Sequence, residues 1–289
     1  MAGALSQEPT TDGRLVHSKT PIFYHGKQQV DYAFISVQKI PEFVRQSARL
    51  PTAFEPYVES DFWLAHSRNF VSDVLLCKTN NGFGTKDAQI NQALHYSNAS
   101  LWAAAQYVLT HGGVACSASQ GFHHAHFDHC YGYCTFNGLV IAAKKALASV
   151  DKVLLIDGDA HEGDGTENCL QALNLTRRII NVTRDEIGAH AQRKFAAEDW
   201  EAFANTLLKK HKPGLVLYQA GADAWAKDPL GAGYLSLKGL ESRDRGIFAA
   251  TKKAGVPIAW NLAGGYANPM QKTIDIHLQT LRVSDEVWF

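Results

Sequence analysis

Apolar residues in this chain gather in short blocks, separated by longer segments with helical spacing. Val114-Ala115-Cys116-Ser117, Val153-Leu154-Leu155-Ile156, Arg178 to Val182, Gly214 to Gln219 and Val256 to Asn261 are such blocks. Short runs rich in Val, Ile and Leu predict strands buried on both faces of a sheet. Pro21-Ile22-Phe23-Tyr24 predicts one more at the start. Tyr32 to Arg49 predicts a helix that begins near Pro41, because proline suits the first helical turn. Asp61 to Leu76 has helical spacing, Asn80 to Gly84 is a loop, and Asp87 to Thr110 predicts a long helix stopped by His111-Gly112-Gly113. Asn137 to Ser149, Glu167 to Leu175, Glu198 to Lys212, Leu237 to Ala254 and Pro269 to Leu281 predict further helices. Strands alternating with helices imply right-handed βαβ units on a parallel sheet. The expected fold class is α/β: a single three-layer α/β domain with a mainly parallel central sheet, over residues 20–289. Residues 1–19 are polar and predict a flexible tail.

The block at Val153 ends abruptly in Asp157-Gly158-Asp159-Ala160-His161-Glu162-Gly163-Asp164-Gly165. So polar a stretch is no core, but it suits a strand end leaving the sheet. Ligands of open α/β sheets bind at the carboxyl ends of strands. Asp159 and His161 are two apart, so in extended backbone they face one side. A carboxylate oxygen and an imidazole nitrogen together suit zinc, given a third protein ligand and an open position. Asp157 has the same parity, or stands behind the site as an acceptor. Alone, the stretch is more simply a turn that caps the next helix.

Other strand ends repeat the grammar: Ser117 to His124, Gly221-Ala222-Asp223, and Gly264-Gly265-Tyr266. In a parallel sheet they share one edge. Asp223 then joins Asp159 and His161 as a metal ligand, His123 and His124 serve proton transfer, and Tyr266 offers a hydroxyl. Each has a bland alternative: a cap for Asp223, a loop pair for the histidines, a packed ring for Tyr266. Coincidence at all the strand ends outweighs them. His126 and His129 read as ordinary loop residues. The run His-His-x-His-x-x-His-Cys-x-x-x-Cys also resembles a structural zinc site, but its flanking aromatics and glycines suit a pocket wall better.

Composition changes little. Of 289 residues, 46% are hydrophobic and 19% charged, and Lys+Arg and Asp+Glu are both 28. That balance gives no basic patch for nucleic acid or anionic membrane. Five cysteines without a C-x-x-C pair argue against a disulfide framework. No apolar run approaches the roughly 20 residues of a membrane span, and the N-terminus has no apolar signal region. The expectation is a soluble, intracellular protein, cytoplasmic or, in a eukaryote, nucleocytoplasmic.

Taken together, Gly121-Phe122-His123-His124-Ala125, Gly132-Tyr133-Cys134, Asp157-Gly158-Asp159-Ala160-His161 with Gly163-Asp164-Gly165, Gly221-Ala222-Asp223 with Asp228-Pro229-Leu230-Gly231, and Gly264-Gly265-Tyr266 resemble the zinc-dependent histone deacetylase superfamily. That superfamily includes acetylpolyamine amidohydrolases and acetoin-utilisation proteins. The motifs follow the family's order over residues 95 to 270. The resemblance implies an arginase/deacetylase-like fold and one catalytic zinc ion on Asp159, His161 and Asp223. It implies His124 as general base and His123 as its electrostatic partner or acid, backed by Asp164 and Asp157 respectively. Tyr266 would donate to the substrate carbonyl, and Gly132 and Tyr133 would line an acyl-lysine tunnel. A structural potassium ion would use backbone carbonyls of Asp157, Asp159 and His161.

The implied activity is removal of an acetyl or longer acyl group from an acylated amine, either acyl-lysine in protein or peptide or an acylated polyamine. The short chain and the two glycines before Tyr266 resemble compact, class IV-like members. Tyr133 replaces the Phe of many relatives, and neither Asn81 nor Asp87 matches the rim aspartate. Three other readings stay open: an acetylpolyamine deacetylase, a binuclear manganese ureohydrolase, and a non-catalytic acyl-lysine binding protein.

Overall fold

The computed structural model describes residues 19–31, 34–183, 186–187, 197–231 and 233–289. The tail expected over residues 1–19 lies, but for Lys19, outside them. The described strands are β1 (Ile22–Phe23), β2 (Val114–Ser117), β3 (Val153–Asp157), β4 (Ile179–Val182), β5 (Leu215–Gln219) and β6 (Ile258–Asn261). They form one sheet in the order β1-β2-β6-β5-β3-β4. Every pairing is parallel, so the mainly parallel sheet expected is wholly so among the described residues.

Helices cover both faces, which is why the strands are apolar without alternation. Leu154, Ile156, Val216 and Tyr218 point into a core completed by α1 (Ile35–Gln46), α7 (Ala197–His211), α8 (Leu237–Ala254) and α9 (Gln271–Trp288). Val153, Leu155, Leu215 and Leu217 point the other way, against α3 (Arg68–Leu75), α4 (Ala88–His111), α5 (Gly138–Ala146) and α6 (Asp164–Ala172). Successive strand residues alternate faces, so one run of four apolar residues feeds two cores.

Four expected helices differ. Pro41 lies inside α1 rather than at its start. Proline costs an interior helix one hydrogen bond, and here Val37, Ile40, Phe43 and Val44 hold both sides of the break in the core. The segment from Asp61 to Leu76 is two helices, α2 (Glu59–Phe62) and α3, because Ser67 caps α3 by accepting from the Phe70 amide. α6 starts at Asp164, three residues before the expected Glu167. α9 runs to Trp288 rather than Leu281, carried by buried Val283 and Ser284.

The strand register sets the site. Ser117 pairs with Asn261, Asn261 with Gln219, and Gln219 with Asp157. The apolar sheet therefore ends in one polar row at its carboxyl edge.

Candidate active site

The row is hydrogen-bonded sideways as well as along the strands. Gln219 donates from Nε2 to Asp157 Oδ1 (2.8 Å), and its Oε1 accepts from the Phe122 amide (3.2 Å). Asp157 Oδ2 lies 2.7 Å from His123 Nδ1. Gln219 thus fixes both the carboxylate and the loop of the histidine it holds. Asn137 anchors the same loop from α5: Nδ2 donates to Ala125 O (3.0 Å) and Thr166 Oγ1 (3.1 Å), while Oδ1 caps the helix at Val140. The Asn137 amide donates to His66 Nε2 (2.8 Å), and His66 Nδ1 donates to His126 O (2.7 Å).

His124 Nδ1 sits 2.8 Å from Asp164 Oδ1, and the two tandem rings lie 4.2 Å apart. Each histidine therefore has its own carboxylate, as the resemblance implies. The environments differ. Burial works against charge on His123, but Asp157, Asp159 and Asp223 together outweigh it and raise its pKa to about 9. Burial lowers His124, and the charge of His123 lowers it further, against the pull of Asp164. One imidazole is held as a cation and its neighbour as a neutral base.

Asp159, His161 and Asp223 also converge, with one ligand atom from each lying within 4.8 Å of the others. His161 Nε2 donates to Leu230 O (3.0 Å), so its Nδ1 faces the carboxylates. Nδ1 lies 3.0 Å from Asp159 Oδ1 and 3.1 Å from Asp223 Oδ2. The second contact is off the donor axis, and that wholly buried oxygen has no hydrogen bond. Burial and Asp159 push the Asp223 pKa up to about 7, and the contacts with Asp159 and then Asp223 raise His161 to about 11. Two buried carboxylates this close need a positive charge between them, which the His161 proton supplies here. Two carboxylates, one with an orphaned buried oxygen, and an imidazole nitrogen fit a divalent cation with an open position.

The third strand end closes the site. The Gly264 amide donates to Asp159 Oδ2 (2.9 Å). A Cβ at Gly264 would stand 2.2 Å from Asp223 Oδ2, so this position admits only glycine. Tyr266 follows; its amide donates to Asp228 Oδ2 (2.7 Å). Asp228 Oδ1 accepts from Leu230 and Gly231 (3.0 and 2.9 Å). Asp228 thereby links the turn that orients His161 to the strand end that carries Tyr266. Burial and the charges of Asp159 and Asp223 hold the Tyr266 phenol well above its ordinary pKa, so it is a proton donor.

A narrow pocket reaches these groups, lined by Ser36, Gln120, His123, Tyr133, Asp159 and Tyr266 among others. Gly132 takes φ +59, and a Cβ there would lie 2.6 Å from His124 Cδ2, so the chain passes directly over that ring. Tyr133 stacks on Phe34 with centroids 3.8 Å apart and meets Phe83 at 5.9 Å. Tyr131 stacks on His124 (5.0 Å) and donates its hydroxyl to Asp164. Every residue singled out for the site is thus at this edge. Asn81 is buried and organises its own loop through Phe83 and Asn91, and Asp87 caps α4. His126 stacks on His129 (4.1 Å). Among the described residues neither joins a ligand cluster, and Cys130 and Cys134 are free thiols.

Sequence reasoning quoted Asp228 only as part of a motif, without a role, and passed over Gln219, Asn137, Phe34, Phe83 and the buried Lys39. Lys39 donates to Ala263 O (2.6 Å), and burial lowers its pKa to about 8 against the pull of Asp223 and Asp159. Only Gln219 carried a signal, as the polar end of a buried strand.

A parallel α/β sheet with a carboxylate–imidazole–carboxylate cluster and tandem carboxylate-backed histidines at its carboxyl edge is the architecture of a deacetylase-type domain. The histone deacetylase domain model matches residues 27–182 and 176–281. The chain belongs to that family. It is 28% identical over 207 residues to an uncharacterized protein of Picosynechococcus sp., covering 64% of this chain and 66% of that protein. It is 27% identical over 191 residues to histone deacetylase 2 of Arabidopsis thaliana, covering 60% of this chain and 49% of that one. The chain thus spans half to two thirds of the length of these relatives. The acetylpolyamine aminohydrolase of Burkholderia pseudomallei shares the fold, with a TM-score of 0.72, 16% identity, and coverage of 91% of this chain and 98% of that chain.

Proposed function

We propose that the chain is a zinc-dependent amidohydrolase that removes an acyl group from an acylated amine. The observation that carries this reading is the meeting, at one sheet edge, of the Asp159–His161–Asp223 cluster, two histidines of opposite charge preference and the Tyr266 phenol. Bound by those three ligands, zinc supplies Lewis acidity, acidifying water and polarising a carbonyl.

The protein's own groups do the rest. Neutral His124 accepts the proton of the attacking water, with Asp164 holding its tautomer and steadying the imidazolium formed. The water oxygen bonds to the acyl carbon, and Tyr266 donates to the oxygen on which negative charge grows. The C–N bond breaks as the amine takes a proton from a histidine, leaving carboxylate and amine. His123, hydrogen-bonded to Asp157, stands beside the growing negative charge. In the same reading, backbone carbonyls of Asp157, Asp159 and His161 would hold a structural potassium ion.

The carrier is either acyl-lysine or an acylated polyamine. The polyamine alternative draws on the fold shared with the acetylpolyamine aminohydrolase. The test compares release of acyl groups from an acetyl-lysine peptide, a long-chain acyl-lysine peptide and an acetylated polyamine by zinc-loaded protein. Hydrolysis of one of them, lost in Asp159→Ala, is expected. Failure on all three would overturn the proposal. A stoichiometry of two metal ions would then point to the ureohydrolase reading.

A further inference from the structure

The two metal-bearing loops are held together by a residue outside the sheet. β3 and β5 pair as far as Asp157 and Gln219, and the Gly158 amide still donates to Gln219 O (2.8 Å). Beyond that point the ladder stops, yet Asp159, His161 and Asp223 all lie beyond it. From α8, Arg243 Nη1 donates to Gly158 O (2.7 Å) and to Gly221 O (2.9 Å). Gly158 immediately precedes Asp159, and Gly221 stands two before Asp223. One guanidinium nitrogen therefore adds a backbone rung beyond the ladder, beside the Ala160 amide that donates to Asp223 Oδ1 (3.1 Å).

The far side of the guanidinium is fixed. Nε and Nη2 each lie 2.9 Å from Asp244 Oδ1. Asp244 in turn accepts from Tyr218 Oη (2.5 Å) and Thr280 Oγ1 (2.6 Å). Arg243, Asp244, Tyr218 and Thr280 are all 0% exposed. A buried ion pair does not explain itself by stability: replacing one with apolar residues of similar volume is often neutral or stabilising. The directed part of this arrangement is the fork, which presents donors at fixed angles to two carbonyls.

We propose that Arg243 is a positioning residue that sets the spacing of the Asp159–His161 and Asp223 loops for the metal ion. The role rests on the metal reading above. Groups that orient metal ligands typically contribute 10–100-fold to metal affinity.

The test is the zinc affinity of the whole chain, measured by competition with a chromophoric chelator, in wild type, in Arg243→Lys and in the double variant Arg243→Met/Asp244→Leu. The double variant removes the ion pair without leaving a lone buried charge. The expected result is a roughly 10–100-fold weaker zinc affinity in both. The visible spectrum of the cobalt(II)-loaded protein should change with it, which a purely structural ion pair would not produce. Wild-type zinc affinity in the folded variants would overturn the clamp and leave the metal reading standing. No zinc binding by wild type would overturn both. If the double variant does not fold, Thr280→Val, which only loosens Asp244, is read by the same criterion and should show a smaller loss of affinity.

Discussion

Replacing His66 with glutamine should remove a titration that ties folding to pH. His66 is 2% exposed, and both ring nitrogens are committed: Nδ1 donates to His126 O, and Nε2 accepts from the Asn137 amide. Only the neutral ring can do both. Burial lowers its pKa from 6.5 to about 4, against backbone hydrogen bonds that raise it. The folded value lies below the unfolded one, so the contribution is complete above pH 6.5 and is lost as pH falls toward about 4. The full span is worth about 3 kcal/mol, and the part lost between about pH 7 and pH 5 is close to 2 kcal/mol. The assay is urea unfolding of metal-free protein at those two pH values, wild type against His66→Gln. Metal-free protein is used because ligand protonation would otherwise dominate. Wild type should lose about 2 kcal/mol more than the variant over that interval. Equal losses would refute the buried neutral imidazole, and with it the account of what anchors the His123–His124 loop.

Four further outcomes are expected. Tyr266→Phe should lower kcat by roughly 10²–10³-fold with KM nearly unchanged, the cost of one lost oxyanion donor, measured by steady-state deacylation. Gly264→Ala should leave the protein without bound metal after dialysis, because the new methyl would stand 2.2 Å from Asp223 Oδ2 and 2.6 Å from Asp159 Oδ2. Zinc at about a thousand times its Kd should stabilise the fold by about 4 kcal/mol, visible as a rise in Tm that Asp223→Asn abolishes. Asp228→Asn puts an amide donor against at least one of three backbone N–H groups and should cost about 1–3 kcal/mol, with a fall in kcat through Tyr266, read by unfolding and kinetics side by side.

Much of this was legible in the sequence because the sheet buries both faces. Val153 to Ile156 had to be a strand between two cores, and where it turned into Asp157-Gly158-Asp159 it had to leave the sheet. The same logic brought Asp223 and Tyr266 to that edge. What stayed hidden came from other layers. Arg243 and Asp244 stand in Ser242-Arg243-Asp244-Arg245, which reads as the wet face of an amphipathic helix, yet the first two are fully buried and Arg245 is not. Lys39 follows Pro41's neighbourhood into the core only because α1 packs under the Ala263–Tyr266 turn. Phe34 and Phe83 join Tyr133 through contacts that no local period encodes. The expectation at Pro41 failed because packing on both sides of the proline outweighed one missing hydrogen bond.

The strand order also dictates when the cluster can exist. Asp159 and His161 follow β3, but Asp223 follows β5, which inserts between β3 and β6 after the chain has gone out to β4 at the edge. A chain emerging from the ribosome therefore carries two ligands through the synthesis of β4 and α7 with no third. Such non-local pairing is slow to form. Tight metal uptake must await the closing of the central strands, so an ion taken up by this protein marks a finished sheet rather than a step toward one.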